Sequence, residues 1–550
     1  MKKETSEFVD CVVHSSAFRR MQDKTQLYYT FDGDHFHTRL THSIEVAEIA
    51  QEIAERISAW LMHYYRKSNY DNRYVNEHLN GYVAKKISYC YVDPKLTYAI
   101  ALLHDIGHTP FGHVGERTLS DLLAGKDKDF KFIMDEHLGG FKHNVHSMYL
   151  LKNKLDELAK TIIVEDDRKQ FIAASWQVLD GVCKHTKVCD PAIKVNDPYC
   201  IGAIIVNTPL NELKFDIDTN YTRLNFALSL EGQIVAIADE IAQCVSDYED
   251  MIRANEAELL ANRIKNYKKI ITKNIKNIKE KIVKGGLNVD NENLLRRELL
   301  ILNDVCVFLS RLIKRIKSTG HKRQNNISVS IYETAMKECQ EMLINDVVDS
   351  FICKWLGNRA FYGIKLKNGS VLPNSAVQLE DSEAGYNPII EFGEKGKMIH
   401  KTLKEASKEC GIFSFIIRRC DANSEKMVRY LFRSYYNNPT LLPDKTVDSI
   451  ICNMQNFWKK QNKCKLQDLE SAFCVSSIGS KQILKTIKDI QKRFSYFNNN
   501  PSISSSMMQV AEHTHEIYAR EIAYYIAGMT DSFAMCEYKR LKRIEIIKNN

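Results

Sequence analysis

The sequence has little proline and glycine, and its apolar residues never form a long run. Only 10 prolines and 23 glycines occur in 550 residues, so few positions interrupt a helix. No apolar stretch approaches the roughly 20 residues that a membrane-spanning helix needs. Residues 1–6 are followed by no apolar segment of the kind found in signal peptides. The sequence therefore predicts a mostly α-helical, soluble, cytoplasmic protein without a membrane segment.

The cysteines also exclude a class of protein. Their number, 15, is odd, their spacing is scattered, and no Cys-x-x-Cys pair occurs among them. A disulfide framework or a cysteine-based zinc site would show paired, regular spacing. Reduced thiols of a cytosolic protein fit this pattern better.

The positive charge is modest overall but concentrated in one segment. The formal net charge of +8 is small for this length, yet lysines fill one face of the segment Arg263–Lys284. Isoleucines recur at helical spacing on the other face. The usual meaning of such a pattern is a solvated helix face. The alternative is a surface for a nucleotide effector or for single-stranded DNA.

Candidate metal ligands are densest directly after an apolar helical run. The cluster comprises His104, Asp105, His108, His113 and Glu116. Adjacent His104 and Asp105 can offer an imidazole and a carboxylate to one divalent cation. Gly107 and Pro110 are expected to end the helix, so that the later histidines turn back over the metal.

Two distant segments supply the ligands that a lone His-Asp pair lacks. His42 is placed in the first turn of an amphipathic helix that Thr41 is expected to cap. Asp239 follows the apolar run Ile234–Ala238, where an unpaired carboxylate would be costly to bury. The pattern therefore indicates one divalent metal ion held by His42, His104, Asp105 and Asp239.

These segments, in this order, resemble the HD-domain metal phosphohydrolases, and within them the dGTP triphosphohydrolase family. The matching blocks are Ala17–Gln26, Thr38–Val46, Ala101–Glu116, Gly139–Asn144, Leu230–Ala242, Leu431–Pro443 and Ala523–Asp531. The resemblance implies a mostly α fold: an HD-domain helical bundle with additional helices and a small β-hairpin insertion.

The resemblance implies a role for each candidate residue. The metal ligands are His42, His104, Asp105 and Asp239. The catalytic residues are His113 and Glu116, as an acid–base dyad, with His108 and His143, which grip the α-phosphate and its neighbours. The substrate-binding residues are Arg39, Gln26, Asp247 and Asn144. Of these, Arg39 is expected to offer its guanidinium to phosphate oxygens.

The implied reaction is metal-dependent hydrolysis of a deoxynucleoside triphosphate, with dGTP favoured, to a deoxynucleoside and inorganic triphosphate. The expected metal is Mn²⁺ or Mg²⁺, with Fe, Co or Ni as alternatives, and the expected assembly is a homo-oligomer. One open alternative is an HD phosphohydrolase acting on another nucleotide or a nucleic-acid phosphoester. Another is a nucleic-acid-binding protein with a structural metal, which would have no need for the His113/Glu116 pair.

Histidines outside these motifs are interpreted as surface residues or ordinary polar contacts. This interpretation covers His185, and also His35 and His37, which are expected in a solvated loop. Three departures from the family pattern bear on specificity rather than on hydrolysis. Val13 stands where many family members have a basic residue. His146 replaces a common glutamine, and Gln243 stands where close relatives often carry tyrosine.

Four regions are predicted along the chain. They are the HD core at 1–250 with an insertion at 60–92, a basic helical segment at 251–350, a small insertion with a hairpin at 351–400, and a C-terminal helical region at 401–550. The last region is expected to complete the core and the oligomer contacts. Within the small insertion, the turn Asn368–Gly369 predicts the hairpin, and Ile389–Ile399 is expected to form another extended pair.

Overall fold

A computed structural model shows a mostly α-helical chain, as predicted. It describes residues 2–29, 35–70, 92–134, 138–153, 176–186, 226–285, 288–325, 327, 330–356, 360–362, 376–379, 386–412, 414–459, 492–500 and 505–549. Part of the insertion predicted at 60–92 thus lies outside the described residues. Among the helices of the described chain, none combines the length and the apolar character needed to cross a membrane.

The N-terminal half contributes helices α1 (Lys2–His14), α2 (Ser16–Arg20), α3 (Arg39–Tyr70), α4 (Pro94–Leu103), α5 (Gly112–Leu123), α6 (His143–Asn153), α7 (Trp176–Lys184), α8 (Leu230–Arg253) and α9 (Ala257–Lys284). The C-terminal half contributes α10 (Val289–Gln324), α11 (Lys337–Leu356), α12 (Glu394–Ser407), α13 (Phe415–Asn437), α14 (Asp444–Lys459), α15 (Ser505–Ala527) and α16 (Asp531–Asn549). Short 3₁₀ turns at Met21–Asp23 and Pro439–Leu441 and π turns at Tyr332–Met336 and Lys408–Ile412 join or extend these helices.

Two hydrophobic cores hold the helices together. The first is built mainly from α1, α3, α4 and α6–α12, and the second from α5 and α13–α16. Leu103 and Ile106 are buried in the first core, whereas Phe111 and Leu119 are buried in the second. The segment that carries the His-Asp pair therefore crosses from one core to the other.

The start of α3 differs by one turn from the prediction. The helix begins at Arg39, and the side chains of Thr38 and Thr41 each accept a hydrogen bond from the backbone N–H of the other. Thr38, rather than Thr41, thus occupies the capping position, because its hydroxyl reaches the free N–H groups of the first turn. His42 remains in that first turn, as predicted.

Helices α9 and α10 form an antiparallel pair that carries the predicted basic face. Contacts of Thr272 with Cys306 and of Glu258 with Lys317 show that the two helices run in opposite directions. On α9 the buried side chains include Ile264, Ile271, Ile275 and Ile278. The exposed ones include Lys265, Lys269, Lys273, Lys276 and Lys279.

A small antiparallel sheet follows α11. Its strands are β1 (Ala360–Tyr362), β2 (Ala376–Leu379) and β3 (Tyr386–Asn387), in the order β1-β2-β3, with Ala360 opposite Gln378 and Leu379 opposite Tyr386. The predicted turn at 368–369 lies outside the described residues, so the hairpin there stays a prediction. The predicted extended pair at 389–399 is wrong, because α12 begins at Glu394 and buries Ile399 on a helical face.

His37 corrects another sequence interpretation, since it is buried rather than solvated. Its Nδ1 lies 2.7 Å from Asp250 Oδ1, and its Nε2 lies 2.9 Å from Glu45 Oε1. Burial alone would lower the pKa of His37, but the hydrogen bonds to Asp250 and Glu45 raise it to about 10. A charged histidine thus ties the loop before α3 to α8.

This ion pair predicts a pH-dependent contribution to stability. The folded-state pKa of His37 exceeds the value of about 6.5 in an unfolded chain. The contribution is therefore complete below pH about 6.5 and is lost as the pH rises through about 10. We expect His37→Gln to lower the free energy of unfolding at pH 6 by about 1–3 kcal/mol, and the resulting drop in thermal midpoint to shrink at pH 10. The exposed His63→Gln, on the same α3, is the matched control; an equal drop at both pH values contradicts the prediction.

Candidate metal centre

Asp105 is the side chain around which the candidate site is arranged. It is buried, and its Oδ2 lies 2.5 Å from Arg39 Nη1 and 3.6 Å from His104 Nε2. Its Oδ1 lies 3.7–3.8 Å from the Nε2 atoms of His108, His143 and His185. Burial opposes ionisation, but His104 and Arg39 hold the pKa of Asp105 well below its usual range. A buried carboxylate is thus kept charged by surrounding donors.

The structure brings the four predicted metal ligands together. His42 Nε2 lies 2.9 Å from Asp239 Oδ1, and His104 Nε2 lies 3.6 Å from that same oxygen. His104 Nε2 is equally 3.6 Å from Asp105 Oδ2. The ligands come from the first turn of α3, the turn after α4 and the middle of α8, which pack against one another in the first core.

An unsatisfied nitrogen tests whether this group suits a metal. His104 is fully buried, and its Nδ1 lies 2.6 Å from the carbonyl oxygen of Ala101. Its Nε2, facing both carboxylates, has no partner within hydrogen-bond distance in the described chain. Burial lowers the pKa of His104, yet Asp105 and Asp239 raise it to about 9, so positive charge is favoured at this nitrogen. Two imidazoles and two carboxylates are a donor set that fits a divalent transition metal.

Arg39 and Gln26 present unsatisfied polar atoms beside this group. Arg39 Nε donates to the carbonyl oxygen of Thr25 at 3.2 Å, and its Nη1 pairs with Asp105. Its Nη2 is buried and has no hydrogen-bond partner among the described residues, and the same holds for Gln26 Oε1. A buried guanidinium nitrogen left without an acceptor is suited to an anionic oxygen.

The two members of the predicted dyad, His113 and Glu116, lie side by side but beyond hydrogen-bond distance. His113 Nδ1 lies 3.8 Å from Glu116 Oε2, and the His113 side chain is 64% exposed. Glu116 Oε1 instead accepts hydrogen bonds from His143, at 3.1 Å from its backbone N and 3.0 Å from its Nδ1. Glu116 therefore orients His143, because α6 begins beside it, whereas His113 points outward from the start of α5. The catalytic role of His113 stays a prediction.

Gly107 allows α6 to pack directly against the turn that follows α4. A side chain at this position would meet the carbonyl oxygen of His143 at 2.4 Å and the backbone N of Ser147 at 2.3 Å. Only glycine permits this approach. The consequence is that the rings of His143 and His108 stack with centroids 4.1 Å apart.

His185 belongs to this site, although sequence reasoning set it aside as an ordinary histidine. It lies at the end of α7 and is buried, with Nε2 at 3.2 Å from His143 Nε2. The signal available in the sequence was its spacing, because Val178 and Val182 lie on the same helical face and both are buried. A histidine that continues an apolar stripe is expected to point inward.

Asn144 and Asp247 have protein partners. Asn144 is buried, and its Nδ2 donates to the carbonyl oxygen of Cys183 at 2.8 Å. It thus holds the end of α7, and its predicted contact with the substrate stays a prediction. Asp247 Oδ2 accepts from Ser407 Oγ at 2.8 Å. Burial raises the pKa of Asp247 to about 6, and its sugar-binding role stays a prediction.

A clamp of Lys24 and Asp531, which sequence reasoning missed, holds the turn before α5. Lys24 Nζ donates to the carbonyl oxygens of His108 and Ala527. Asp531 accepts hydrogen bonds from Phe111 N at 2.8 Å and from Thr25. Phe111 has a left-handed backbone with φ of 62°, a strained state for a bulky residue that needs such support. The clamp therefore fixes the turn between His108 and His113.

Comparison with known proteins places these residues in a family context. A family profile described as HD domain matches residues 39–243, and one described as phosphohydrolase-associated domain matches residues 482–540. The former includes the ligands from α3, α4 and α8, and the latter includes Asp531.

Several curated proteins named deoxyguanosinetriphosphate triphosphohydrolase-like protein are similar to this chain. The protein from Brucella anthropi is 32% identical over 245 residues, and those from Rhodopseudomonas palustris and Nitrobacter hamburgensis are 32% identical over 248 residues. Each match covers 44% of this chain and 46% of the relative. The chain thus spans about half the length of the curated relatives it matches.

The geometry predicts that Mn²⁺ stabilises the folded chain. A cation between the buried carboxylate of Asp105 and the partly buried one of Asp239 relieves their repulsion. Free ligand at about 100 times its Kd adds about 2.7 kcal/mol to the free energy of unfolding. We expect the thermal midpoint to rise with Mn²⁺ and to fall again with EDTA. His104→Gln should abolish this response, whereas His321→Gln, far from the site in sequence and exposed, should keep it. An equal rise in both variants contradicts the assignment.

Proposed function

Because this chain belongs to the HD-domain family that includes the deoxyguanosinetriphosphate triphosphohydrolase-like proteins, we propose that it is a metal-dependent dNTP triphosphohydrolase. The reaction is hydrolysis of a deoxynucleoside triphosphate, with dGTP favoured, to a deoxynucleoside and inorganic triphosphate. A role in limiting the dNTP pool follows from that chemistry. A cytoplasmic location belongs to the same proposal.

One observation carries the proposal. The free Nε2 of His104 lies 3.6 Å from carboxylate oxygens of both Asp105 and Asp239, and the free Nη2 of Arg39 belongs to the guanidinium that pairs with Asp105. A cation position and an anion-binding donor are thus side by side. Phosphoester hydrolysis needs both, since charge must be neutralised on the phosphoryl oxygens as the bond breaks.

Each residue has a task in this proposal. His42, His104, Asp105 and Asp239 would hold one divalent ion, Mn²⁺ or Mg²⁺ before Fe, Co or Ni. Such an ion, when bound, activates water and polarises a phosphoryl oxygen. Arg39 binds a phosphate oxygen through Nη2. Burial, with Arg39, holds the pKa of His108 well below its usual range, so a neutral imidazole faces the substrate. His113 protonates the departing 5′-oxygen, and its exposed ring is free to turn toward it.

The exposed lysine face of α9 supports a second part of the proposal. Its lysines are exposed, whereas the isoleucines at 264, 271, 275 and 278 are buried, so the lysines are accessible to a polyanion. We assign this face to a nucleotide effector or single-stranded DNA, and we propose that the protein acts as a homo-oligomer.

The proposed reaction predicts which products appear. We expect the purified protein with Mn²⁺ to release a deoxynucleoside and inorganic triphosphate from dGTP in one step, detected by chromatography. His113→Ala should lower kcat about 10²–10⁴-fold by removing the general acid, while the metal content is unchanged.

Three comparisons make this test decisive. His63→Ala, an exposed histidine on α3, is the matched control and should keep full activity. The other dNTPs and the four NTPs, assayed in parallel, measure the preference for base and sugar. Release of orthophosphate or pyrophosphate, or full activity of His113→Ala, contradicts the proposed reaction.

The basic face predicts salt-sensitive binding of single-stranded DNA. Each phosphate contact releases a counterion, so the logarithm of the affinity should fall linearly with the logarithm of salt concentration. Replacing Lys269, Lys273 and Lys276 with glutamate should reduce that slope, measured by fluorescence anisotropy. A slope that the triple variant leaves unchanged, or no binding, removes this surface from the proposal.

A further inference from the structure

One exposed stripe of α10 has the residue spacing of a helix that packs against another helix. Residues at alternating intervals of three and four positions share one face of an α-helix, as along the contact line of a coiled coil. On α10 this stripe, called here the α10 seam, comprises Asp290, Asn293, Arg297, Leu300, Asp304, Val307 and Arg311. All of these residues are exposed, whereas Leu302, Leu309 and Ile316 on the other side of the helix are buried. The described part of the chain therefore leaves the seam uncovered.

The seam exposes apolar side chains at its middle. Leu300 is 68% exposed, and Val307, two helical turns further along, is 57% exposed. Leu294 lies beside the seam and is 63% exposed. Single exposed apolar residues are ordinary on a protein surface. Leucine and valine that recur at helix-packing spacing are instead suited to contact with a second helix, because such contact removes them from water.

The charges of the seam are arranged symmetrically about Leu300. Arg297 precedes Leu300 by three positions, and Asp304 follows it by four. Asp290 precedes it by ten positions, and Arg311 follows it by eleven. A difference of one residue is only about 1.5 Å along a helix. Each charge on one side of Leu300 thus has an opposite charge at nearly the same distance on the other side.

This symmetry determines which partner and which orientation fit the seam. When two α10 helices pack antiparallel and cross at Leu300, Arg297 lies next to Asp304 of the second copy, and Asp290 lies next to Arg311 of the second copy. A parallel pair in register would place each charge against the same charge, which is unfavourable. An interface with two-fold symmetry requires a surface that complements itself. A different protein or a nucleic acid would not require opposite charges at equal distances from one leucine.

The charges of the seam are available for such contacts. Within the described residues, no ion pair involves Asp290 or Arg297. Asp304 lies 3.9 Å from Lys395, and Arg311 lies 3.1 Å from Glu338, both at the surface. A guanidinium has five N–H donors, so Arg311 can keep Glu338 and still bind a second carboxylate.

We propose that two copies of this chain associate through the α10 seam, antiparallel and with a two-fold axis beside Leu300. This interface rests on the homo-oligomer of the proposed function and does not depend on which nucleotide is cleaved. Contact between the two leucines excludes water at the centre, and the flanking charge pairs fix the register. Because those pairs lie near the surface, association weakens as salt is added. The lysine face of α9 is not part of the seam.

Cross-linking of the full-length protein tests the position of the axis. Leu300→Cys and Leu294→Cys are each treated with a short bis-maleimide, and covalent dimers are measured on a denaturing gel. We expect Leu300→Cys to cross-link efficiently, because its two copies meet at the axis. The two Leu294 positions would lie about 18 Å apart along the helices, so Leu294→Cys should stay at the background set by exposed native cysteines such as Cys353. Equal yields from the two variants overturn this arrangement.

Charge reversal tests the pairing across the axis. Sedimentation velocity at low salt measures the dissociation constant of the dimer. Arg297→Glu places carboxylates against Asp304 of the second copy and should raise that constant about 10–100-fold. Adding Asp304→Arg to the same chain restores opposite charges and should recover the affinity, which a variant that merely misfolds would not do. Lys265→Glu, at an exposed position on α9, is the matched control and should leave the constant unchanged.

The outcomes separate this interface from the rest of the proposed function. A chain that stays monomeric overturns both the seam and the homo-oligomer. An oligomer that Arg297→Glu leaves intact overturns only the seam. If Arg297→Glu instead weakens the binding of single-stranded DNA by a monomer, the seam belongs to nucleic acid and the proposal is wrong. Hydrolysis of dGTP, assayed on the same samples, reports on the reaction independently, since a dimer without hydrolysis leaves the seam in place.

Discussion

The burial of the Asp105 carboxylate is the constraint on which the site depends. A charge removed from water is stable only if donors surround it, and a lost donor leaves the charge uncompensated. Arg39 and His104 lie next to Oδ2. The rings of His108, His143 and His185 lie next to Oδ1. The helices that carry these donors must therefore pack in one arrangement, so the chemistry of the site and the packing of the first core impose the same geometry.

The second constraint is the junction between the two cores. The segment from Leu103 to Phe111 has one end buried in each, and it turns sharply at a left-handed residue. Lys24 and Asp531 satisfy the backbone groups that this turn exposes. Strain at Phe111 is thus supported by partners far away in sequence, which is typical of functional turns.

Sequence reasoning could single out the candidate metal ligands, which the structure brings together, because they have local signatures. His104 and Asp105 end an apolar helix, and Asp239 interrupts one. Sequence reasoning could also predict the helical fold and the amphipathic α9, because the helical spacing of apolar residues indicates which face of a helix is buried. The N-cap at Thr38, by contrast, could not be predicted, because Thr38 and Thr41 both offer a hydroxyl near the start of α3. The pattern of apolar residues does not locate the first residue of a helix to within one turn.

The residues that sequence reasoning missed or misassigned share a different property, because their roles arise from tertiary contacts. His37 is buried only because Asp250 of α8 reaches it. Glu116 turns to His143 only because Gly107 admits α6 so closely. Asn144 and His185 act on each other's helices. The spacing of residues within one segment does not reveal contacts between helices. The apolar stripe before His185 does indicate that the His185 side chain points toward the core.

The clamp joins Lys24 to Ala527 and Thr25 to Asp531, so segments 503 and 506 positions apart in the sequence meet at the loop that carries His108. During synthesis on the ribosome, the His-Asp helix is made long before its last support emerges. A nascent chain or a truncated product without these helices therefore has the candidate ligands but lacks the clamp. The turn that carries His108 is fixed only after α15 and α16 have docked.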